Sequence, residues 1–535
     1  MATPLNLWSA LPGANQREFP ENDPAKVEIF GYCDQLSYVP GETVRVRVHT
    51  TAKFFDLAVI LDSASGEVVY RKVGIPGTVQ VTPANAYETG CQWSDAVSIP
   101  IESGWPSGVY IITLTAADPT GAAIEREAVF VVRPTGRDTA GRILMILTTG
   151  TYVAYNDWGG ANAYRSVVDN EATDVPAPRL SLLRPWARGF LRLPAGAPRH
   201  ADAPDLPPHA APRLLYAEWA LENGYSRHYA DAGWAYYERP FAAWARQNGY
   251  AIDFITQHDL HDKGDILKRY GTAIIVGHDE YWTWEMRDAV DSFVTQGGRL
   301  ARFAGNFLWQ TRLEDGGTVQ VCHKIAVTDP VHSTERRERT TTHWDAPVTG
   351  RPAAATMGLT GVGGIYVRFG AVSPRSSGGF TVYRPDHWAL RGTDLRYGDE
   401  LGTAPSRILS FEVDGVDYTF RDGLPYPTHI DGAPQGLEII AMAPAARGER
   451  PCKGALLNAP LEMLSEMLKH NPAFYEVRSV ERGAAMMATF SSGKGSVFNS
   501  GCCNWVSGLI HHDFFVEQIT RNVLDASLRE SGGAR

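Results

Sequence analysis

The sequence predicts a multidomain α+β protein, with an N-terminal immunoglobulin-like β-sandwich followed by a layered α/β domain that carries a β-rich insertion. The chain has 535 residues, which is too long for a single ordinary hydrophobic core. Its first quarter alternates apolar and polar residues in short runs, as half-buried strands do. Beyond residue 140 the pattern changes to continuous apolar runs separated by amphipathic helices, which indicates a parallel sheet covered on both faces.

The sandwich is predicted over residues 25–135, after an N-terminal extension of residues 1–24. A turn at residues 38–42 precedes strict alternation of apolar and polar residues over 43–48, which is typical of a strand with one buried face. Further short strands are predicted at residues 57–61, 97–99, 108–114 and 128–132. Such strands, separated by Gly, Pro and Asp turns, are typical of an immunoglobulin-like sandwich. Because no catalytic group of residues is visible in it, we expect a structural or subunit-assembling role.

The α/β domain is predicted over residues 140–535, with the insertion at about residues 310–440. Continuous apolar runs predict strands buried on both faces, at residues 143–147, 252–255, 272–277, 300–304 and 495–499. Helices are predicted at residues 241–247, from Thr283 as N-cap to a stop at Gly297, and at residues 514–528. Strands and helices in this order form right-handed crossovers. The pattern predicts a layered fold of the glutamine amidotransferase or flavodoxin kind.

The composition argues against several classes of function. With 50 Lys and Arg against 60 Asp and Glu, the net charge is -10 and no basic run is present, so we expect no nucleic-acid partner. No apolar run reaches the roughly 20 residues of a membrane helix, and the N-terminus lacks the pattern of a secretory signal. The 6 cysteines show neither a disulfide framework nor zinc-ligand spacing. We therefore expect a cytoplasmic protein without a membrane partner.

Polar side chains follow three of the predicted parallel strands. A tyrosine-rich run at 151–164 follows the first strand, His278 and Glu280 follow the third, and Asn306 follows the fourth. Ligands of open α/β sheets bind beyond the carboxyl ends of the strands, so these side chains are expected at one edge. The sequence contains no G-x-S-x-G, H-E-x-x-H or Walker A motif that would assign a more familiar chemistry.

Six motifs are informative when they are taken together. They are AYNDWGGANAY at 154–164, LLRPW at 182–186, GHDEYW at 277–282, FAGN at 303–306, GYCDQLSYVPGETV at 31–44 and ITRNVLD at 519–525. Together they resemble the large (beta) subunits of N,N-dimethylformamidases, over nearly the whole chain including the sandwich. The resemblance implies a mononuclear Fe(III) held by two tyrosines and one glutamate, without a histidine ligand.

On this resemblance the expected iron ligands are Tyr155, Tyr164 and Glu280. Two phenolates and one carboxylate carry three negative charges, which balance Fe³⁺ and leave coordination positions open. The pKa of free tyrosine is about 10, so phenolate ligation at neutral pH requires the cation to stabilise it. The alternatives are core packing for both tyrosines and a charge at a helix N-terminus for Glu280.

The resemblance also implies catalytic roles for His278, Asn306 and Glu412. His278 and Asn306 would donate hydrogen bonds to a polarised carbonyl or orient water, whereas Glu412 would move the proton from water to the leaving amine. Asp414 and Asp417 compete with Glu412 for that last role. A structural histidine is the alternative for His278.

Other residues close to these motifs are expected to be structural. Tyr152 and Tyr281 are interpreted as packing residues, Asp279 as a supporting acid, and Arg184 as a structural cation that could pair with an acid near the site.

The sequence therefore predicts an iron-dependent amidohydrolase that cleaves the C–N bond of a small N-substituted amide or formamide with metal-activated water. A second hypothesis is a non-catalytic protein that binds a ligand or partner on the same scaffold. A third is a cysteine-dependent amidase, although the adjacent pair Cys502 and Cys503 is more simply interpreted as small buried residues after a strand. We expect a small amide substrate, a homo-oligomer and, as a further option, a small partner subunit.

Overall fold

The structure, a computed structural model, describes residues 17–118, 120–136, 139–168, 171–173, 175–202, 215–364, 378–446 and 482–532. Its first strands are β1 Ile29–Cys33, β2 Ser37–Tyr38, β3 Thr43–Thr50, β4 Phe54–Leu61, β5 Val68–Pro76, β6 Asp95–Pro100, β7 Gly108–Ala117 and β8 Ala123–Val132. The later strands are β9 Arg142–Leu147, β10 Ser166–Val168, β11 Glu171–Thr173, β12 Arg179–Ser181, β13 Ala251–Thr256, β14 Thr272–His278, β15 Tyr281–Thr283, β16 Arg299–Gly305, β17 Trp309–Glu314, β18 Val319–Val321, β19 Phe380–Val382, β20 Glu400–Leu401, β21 Tyr418–Arg421, β22 Leu424–Pro427, β23 Glu438–Ala446, β24 Arg482–Ser492 and β25 Gly495–Asn499.

The α-helices are α1 Ala86–Thr89, α2 Thr149–Tyr155, α3 Leu215–Asn223, α4 Arg239–Gln247, α5 Gln257–Lys263, α6 Trp284–Thr295, α7 Ala354–Met357, α8 Gly361–Gly364, α9 Trp505–Ile510 and α10 Phe514–Gly532. A π-helical turn, Trp234–Glu238, leads directly into α4. Among the described residues, no helix is both long enough and apolar enough to cross a membrane.

The first eight strands form two sheets that enclose one apolar cluster. The smaller sheet has the order β1-β3-β6 and the larger the order β2-β8-β7-β4-β5. Val44 and Val46 of β3 are buried, whereas Thr43 and Arg45 beside them are exposed, as the alternating pattern predicts, and both valines belong to the cluster between the sheets.

A nine-stranded sheet dominates the rest of the chain, with the order β13-β9-β14-β16-β25-β24-β23-β19-β20. The first five strands are parallel and the remaining pairs are antiparallel. In β9, Ile143 and Met145 join the apolar cluster on one face, whereas Leu144 and Ile146 join the cluster on the other. The unbroken apolar run therefore reflects a strand buried on both faces. The predicted mixture of helices and sheets is confirmed.

Helices cover both faces of this sheet. Thr283 caps α6 by accepting a hydrogen bond from the backbone N–H of Met286, and Val290 and Phe293 bury the apolar stripe that follows. Helix α5 lies on the same face, while α4, α9 and α10 contribute buried residues to the opposite cluster.

Residues 310–440, predicted as an insertion, contribute to more than one sheet. Strands β17 and β18 pair within a four-stranded sheet of order β12-β18-β17-β15, and β19 and β20 extend the main sheet at its edge. The segment therefore contributes strands both to the main sheet and to the four-stranded sheet.

Buried polar contacts attach the sandwich to the α/β part of the chain. One oxygen of Asp259 accepts hydrogen bonds from Ser37 Oγ at 2.5 Å and from Arg133 Nη1 at 2.6 Å. On another side, Asp62 accepts from the indole N–H of Trp234 at 2.6 Å. Because the outer face of the sandwich also joins the apolar cluster of the main sheet, the two parts share a core.

Candidate metal and catalytic site

The candidate site lies at the carboxyl edge of the parallel strands. β14 ends at His278, β16 ends one residue before Asn306, and β9 leads into α2, which ends at Tyr155. β14 pairs with both β9 and β16, so these strand ends are neighbours. Counted along the chain, the order of the five parallel strands is 2-1-3-4-5, and the connections reverse direction between β9 and β14. Open α/β sheets bind ligands at such a reversal.

The carboxylate of Glu280 is held by two donors. The hydroxyl of Tyr164 donates to its two oxygens at 2.8 and 2.7 Å, and the indole N–H of Trp309 donates to one of them at 2.6 Å. Tyr281 in turn donates its hydroxyl hydrogen to the Tyr164 oxygen at 2.8 Å. The backbone N–H of Glu280 donates to Thr151 Oγ1 at 2.9 Å, which attaches its backbone to helix α2. Burial raises the pKa of Glu280, and so does the nearby charge of Glu412.

Tyr155 lies beside these groups and is only 4% exposed. Its ring centroid is 4.6 Å from that of Tyr164 and 5.3 Å from that of His278. Burial, followed by the negative charge of Glu280, raises the pKa of both phenols well above the usual value. Both tyrosines are therefore neutral in the absence of a cation, and a bound cation is the kind of partner that would stabilise their phenolates.

His278, Asn306 and Glu412 form a second, contiguous group. Oε2 of Glu412 lies 3.0 Å from His278 Nε2 and accepts a hydrogen bond from Asn306 Nδ2 at 2.7 Å. Nδ1 of His278 lies 2.7 Å from the carbonyl oxygen of Asp231. Burial favours the neutral ring, but the hydrogen bond and charge of Glu412, together with Glu280 and the Asp231 carbonyl, raise the pKa of His278 to about 9. At neutral pH the imidazole is therefore protonated and donates from both nitrogens.

The donor set fits a hard cation. One proton lies between the phenol oxygen of Tyr164 and the carboxylate of Glu280, and both groups are anionic once it leaves. Tyr155, whose ring packs against that of Tyr164, adds a third oxygen ligand. A different trio, His278, Glu280 and Glu412, also brings three ligand atoms within 4.8 Å of one another. The two sets have Glu280 in common. Anionic oxygens suit a hard cation, whereas both nitrogens of His278 already lie within hydrogen-bonding distance of oxygens, 3.0 Å from Glu412 and 2.7 Å from the Asp231 carbonyl.

Sequence reasoning missed or misassigned three residues of this group. The interpretation of Tyr281 as a packing residue is incomplete, because its hydroxyl bonds to Tyr164. Trp309 and Lys324 were not anticipated. Lys324 is half-buried, its Nζ lies 3.3 Å from the ring centroid of Tyr164, and burial lowers its pKa to about 8. Both lie in the turn-rich segment after residue 305, where no periodic pattern indicates which side chain faces the site.

The acids that competed with Glu412 have other partners. Asp414 binds Arg302, and Asp417 accepts a hydrogen bond from Thr428 Oγ1. Of these three acids, Glu412 is the one that contacts His278 and Asn306. Asp279, expected to support the site, pairs with the same Arg302.

Arg184 and the adjacent cysteines lie outside the polar group. Arg184 donates to the backbone carbonyls of Trp158, Ala161 and Asn156, so it holds the loop that leads to Tyr164. Cys502 and Cys503 are fully buried, and burial raises the pKa of Cys502 to about 12. A buried thiol with a raised pKa is a poor nucleophile.

Comparison with known proteins adds a family to this geometry. The profile of the family described as "N,N-dimethylformamidase beta subunit-like, C-terminal" matches residues 62–515. The chain belongs to this family. The matched range of the dimethylformamidase beta subunit-like family contains all of the predicted site residues, from Tyr155 to Glu412.

Two relatives carry the name N,N-dimethylformamidase beta subunit. The protein of Paracoccus aminophilus is 28% identical over 234 residues, which are 41% of this chain and 28% of the relative. The protein of Alcaligenes sp. gives the same identity over the same length and the same shares of both chains. The alignment therefore covers less than a third of each relative.

Proposed function

We propose that this protein is an iron-dependent amidohydrolase that cleaves the C–N bond of a small N-substituted amide or formamide. The observation that carries the proposal is the buried group in which Tyr164 bonds both oxygens of Glu280, beside Glu412 in contact with His278 and Asn306. Membership of the dimethylformamidase beta subunit-like family supports the class of reaction.

Tyr155, Tyr164 and Glu280 would hold the iron. Ferric iron bound there would supply Lewis acidity toward the amide carbonyl and toward water. Trp309 keeps one oxygen of Glu280 hydrogen-bonded at 2.6 Å, and Tyr281 keeps the Tyr164 oxygen hydrogen-bonded at 2.8 Å. These contacts restrict both ligands to one orientation, as outer partners of metal ligands do.

Asn306 and His278 are the hydrogen-bond donors proposed to stabilise negative charge on the carbonyl oxygen. Nδ2 of Asn306 and the protonated ring of His278 approach the same oxygen of Glu412, and their nitrogens lie 3.2 Å apart. A carbonyl bound among them would receive hydrogen bonds on its oxygen as water adds to its carbon. Donors fixed in a buried site stabilise that oxygen without having to reorganise.

Glu412 has the position of the proton carrier. When water adds to the carbonyl carbon, Glu412 takes the proton that the water loses. The C–N bond then breaks as Glu412 returns this proton to the departing nitrogen, so that a carboxylic acid and an amine are released. The charge of His278, 3.0 Å away, favours the ionised form of Glu412 that this role needs.

The burial of the group favours a small substrate. His278, Asn306 and Glu280 are each at most 3% exposed, whereas Tyr164 and Lys324 are half-buried. The solvent side of the group is therefore the side of Tyr164 and Lys324, and only a compact molecule would reach the carboxylates without large rearrangement.

We also propose the finer description of the two domains, the assembly and the location of the protein. The immunoglobulin-like and flavodoxin-like descriptions rest on the two sheets of the sandwich and on the 2-1-3-4-5 order of the parallel strands. A small partner subunit is proposed because the matched relatives are named as subunits, and a homo-oligomer stays a prediction from the sequence. A cytoplasmic location is proposed because the described cysteines are all free.

Metal content and colour test the proposal first. Purified protein should contain about one iron per chain and absorb visible light, since phenolate bound to Fe³⁺ gives a charge-transfer band. It should release amine from N,N-dimethylformamide or a close analogue. Tyr155→Phe and Glu280→Ala should each lose iron and colour. Zinc at about one per chain with no iron would reject the tyrosinate–iron site.

Two further variants separate the ligand sets. Tyr152→Phe is the matched control because Tyr152 is a buried tyrosine of the same helix whose hydroxyl interacts with Glu238 rather than with Glu280, and it should keep iron. His278→Gln should also keep iron. If it loses iron as Glu280→Ala does, the trio of His278, Glu280 and Glu412 is the ligand set instead. A protein that binds small amides but releases no amine would support the non-catalytic alternative.

A further inference from the structure

A charged side chain lies in the middle of the parallel sheet, directly beneath the candidate site. Arg302 belongs to β16, where its backbone pairs with Ile275 of β14 and Asn499 of β25. Its exposed fraction is 0%, as are those of Asp279 and Asp414. A guanidinium in such a position needs acceptors for its N–H groups, and anionic acceptors compensate best for the cost of removing its charge from water.

The partners come from three separate parts of the chain. Nε and Nη2 of Arg302 bind the two oxygens of Asp279 at 2.8 and 2.5 Å, which is a two-pronged pair. Nη1 binds Asp414 Oδ2 at 2.5 Å and Asn499 Oδ1 at 3.1 Å. One planar group therefore connects the end of β14 with the irregular segment before β21.

These two aspartates are next to the residues of the site. Asp279 stands between His278 and Glu280, and in an extended segment its side chain points away from the face that its two neighbours share. Asp414 follows Glu412 by two residues. Its other oxygen accepts a hydrogen bond from the backbone N–H of Phe307 at 3.2 Å, and Phe307 directly follows Asn306.

We infer that Arg302 is a positioning residue, which fixes the segments of His278 and Glu280, of Asn306 and of Glu412 relative to one another. This inference rests on the proposed function for its catalytic consequence, but its geometric content stands separately. His278 and Glu280 adjoin Asp279, which Arg302 binds, and Glu412 lies two residues before Asp414, which Arg302 also binds. Asn306 directly precedes Phe307, whose backbone N–H donates to Asp414. Shifting any of the segments would open the contacts of 2.7 and 3.0 Å that Glu412 makes with Asn306 and His278.

The substitution Arg302→Lys tests this positioning role most directly. Lysine keeps the positive charge but has a single ammonium, so it cannot bind Asp279 with two parallel hydrogen bonds and reach Asp414 at the same time. The matched control is Arg287→Lys. Arg287 is equally buried, yet its hydrogen bonds go to Thr356 and the backbone carbonyls of residues 351 and 352 rather than to Asp279 and Asp414, and its guanidinium meets the Asn306 segment only through the ring of Phe307, 5.5 Å away.

Arg302→Lys should lower kcat far more than Arg287→Lys does, although both variants should lose similar stability. A misplacement of about 1 Å typically reduces turnover by about 10²-fold, so Arg302→Lys should lower kcat by that factor with little change in KM. Because Glu412 moves relative to His278, the pH profile of kcat should shift as well. Arg287→Lys should show a comparable fall in the unfolding temperature but a kcat within about twofold of the wild type.

A crystal structure of Arg302→Lys supplies the readout that does not depend on activity. The inference predicts that Asn306 Nδ2 and Glu412 Oε2 separate beyond hydrogen-bonding distance. An unchanged contact with an unchanged pH profile overturns it, and so do equal losses of kcat in the two lysine variants.

Two remaining outcomes are also decisive. If the wild-type chain hydrolyses no amide, the proposed function fails, while the crystal structure still decides whether Arg302 sets the geometry. If Arg302→Lys does not fold, Asp414→Asn takes its place, since it removes a charge without changing the size of the side chain. The same separation is expected there, and an unchanged contact with unchanged kcat overturns the inference.

Discussion

Removal of the Asn306 amide separates catalysis from folding in a single pair of variants. Asn306 follows β16 with a φ of 62°, in the left-handed region that glycine and asparagine tolerate best. Its Nδ2 donates to Glu412 Oε2 at 2.7 Å, whereas the reversed amide would direct an oxygen at a carboxylate, so this orientation is the favourable one. Asn306→Gly and Asn306→Ala both delete the donor, but only alanine adds backbone strain.

The expected magnitudes follow from these contacts. Loss of one donor to a developing oxyanion typically reduces kcat by about 10²–10³-fold, or about 2.7–4 kcal/mol in the barrier. Both variants should show this reduction. A left-handed alanine is less stable than glycine by about 1 kcal/mol, so Asn306→Ala should unfold at lower urea than Asn306→Gly. Iron and colour should be retained in both, because Asn306 is not among the proposed ligands.

The assay is single-turnover amine release together with iron content and urea unfolding for the two variants. If either variant loses iron in proportion to activity, Asn306 belongs to the ligand set and the division of roles is wrong. If kcat follows stability, so that glycine is nearly wild type and alanine is impaired, the amide has no part in the reaction.

Three more predictions address the rest of the chain. Burial raises the pKa of Glu238 from 4.5 to about 7, so its contribution to stability is present below pH 4.5 and lost as the pH rises through 7. Glu238→Gln should therefore gain about 3 kcal/mol relative to wild type between about pH 4 and pH 9, and a pH-independent difference in urea unfolding would contradict this. Asp259→Asn weakens the buried ion pair with Arg133 and should lower the free energy of unfolding by about 3 kcal/mol. Its kcat should stay within about twofold of the wild-type value, and a parallel fall in kcat would instead give the sandwich a direct role at the site. Cys502→Ala should keep kcat within about twofold, and native protein should resist thiol reagents, whereas rapid inactivation by them would revive the cysteine mechanism.

Local sequence predicted the elements well because their patterns depend on burial alone. The run at 143–147 is unbroken because β9 is covered on both faces, and Thr283 caps α6 because its hydroxyl satisfies a free backbone N–H. The residues after β14 and β16 could be assigned to one edge because parallel neighbours end together. These inferences need only the periodicity of the chain and the geometry of a parallel sheet.

Long-range partners could not be predicted in the same way. Arg302 stands in an otherwise apolar run, and nothing local indicates that Asp279 and Asp414 neutralise it from elsewhere in the chain. Tyr281 and Lys324 are likewise defined by contacts with Tyr164, which is more than 100 residues away in sequence. A hydroxyl or ammonium near a strand end shows that a partner is needed, but not which residue supplies it.

The alternation of His278, Asp279 and Glu280 has a consequence for how relatives are recognised. Inserting or deleting one residue within this triplet would reverse the face to which the following side chains point. The glutamate would then point toward the sheet instead of the site, and the site would lose its ligand. An alignment that opens a gap there cannot describe a working site. A useful search pattern is therefore H-D-E without gaps, an arginine 22 positions after the glutamate and an asparagine four positions after the arginine, as at Arg302 and Asn306. Distant sequences that satisfy this spacing but lack the flanking aromatic residues would be informative targets for metal analysis.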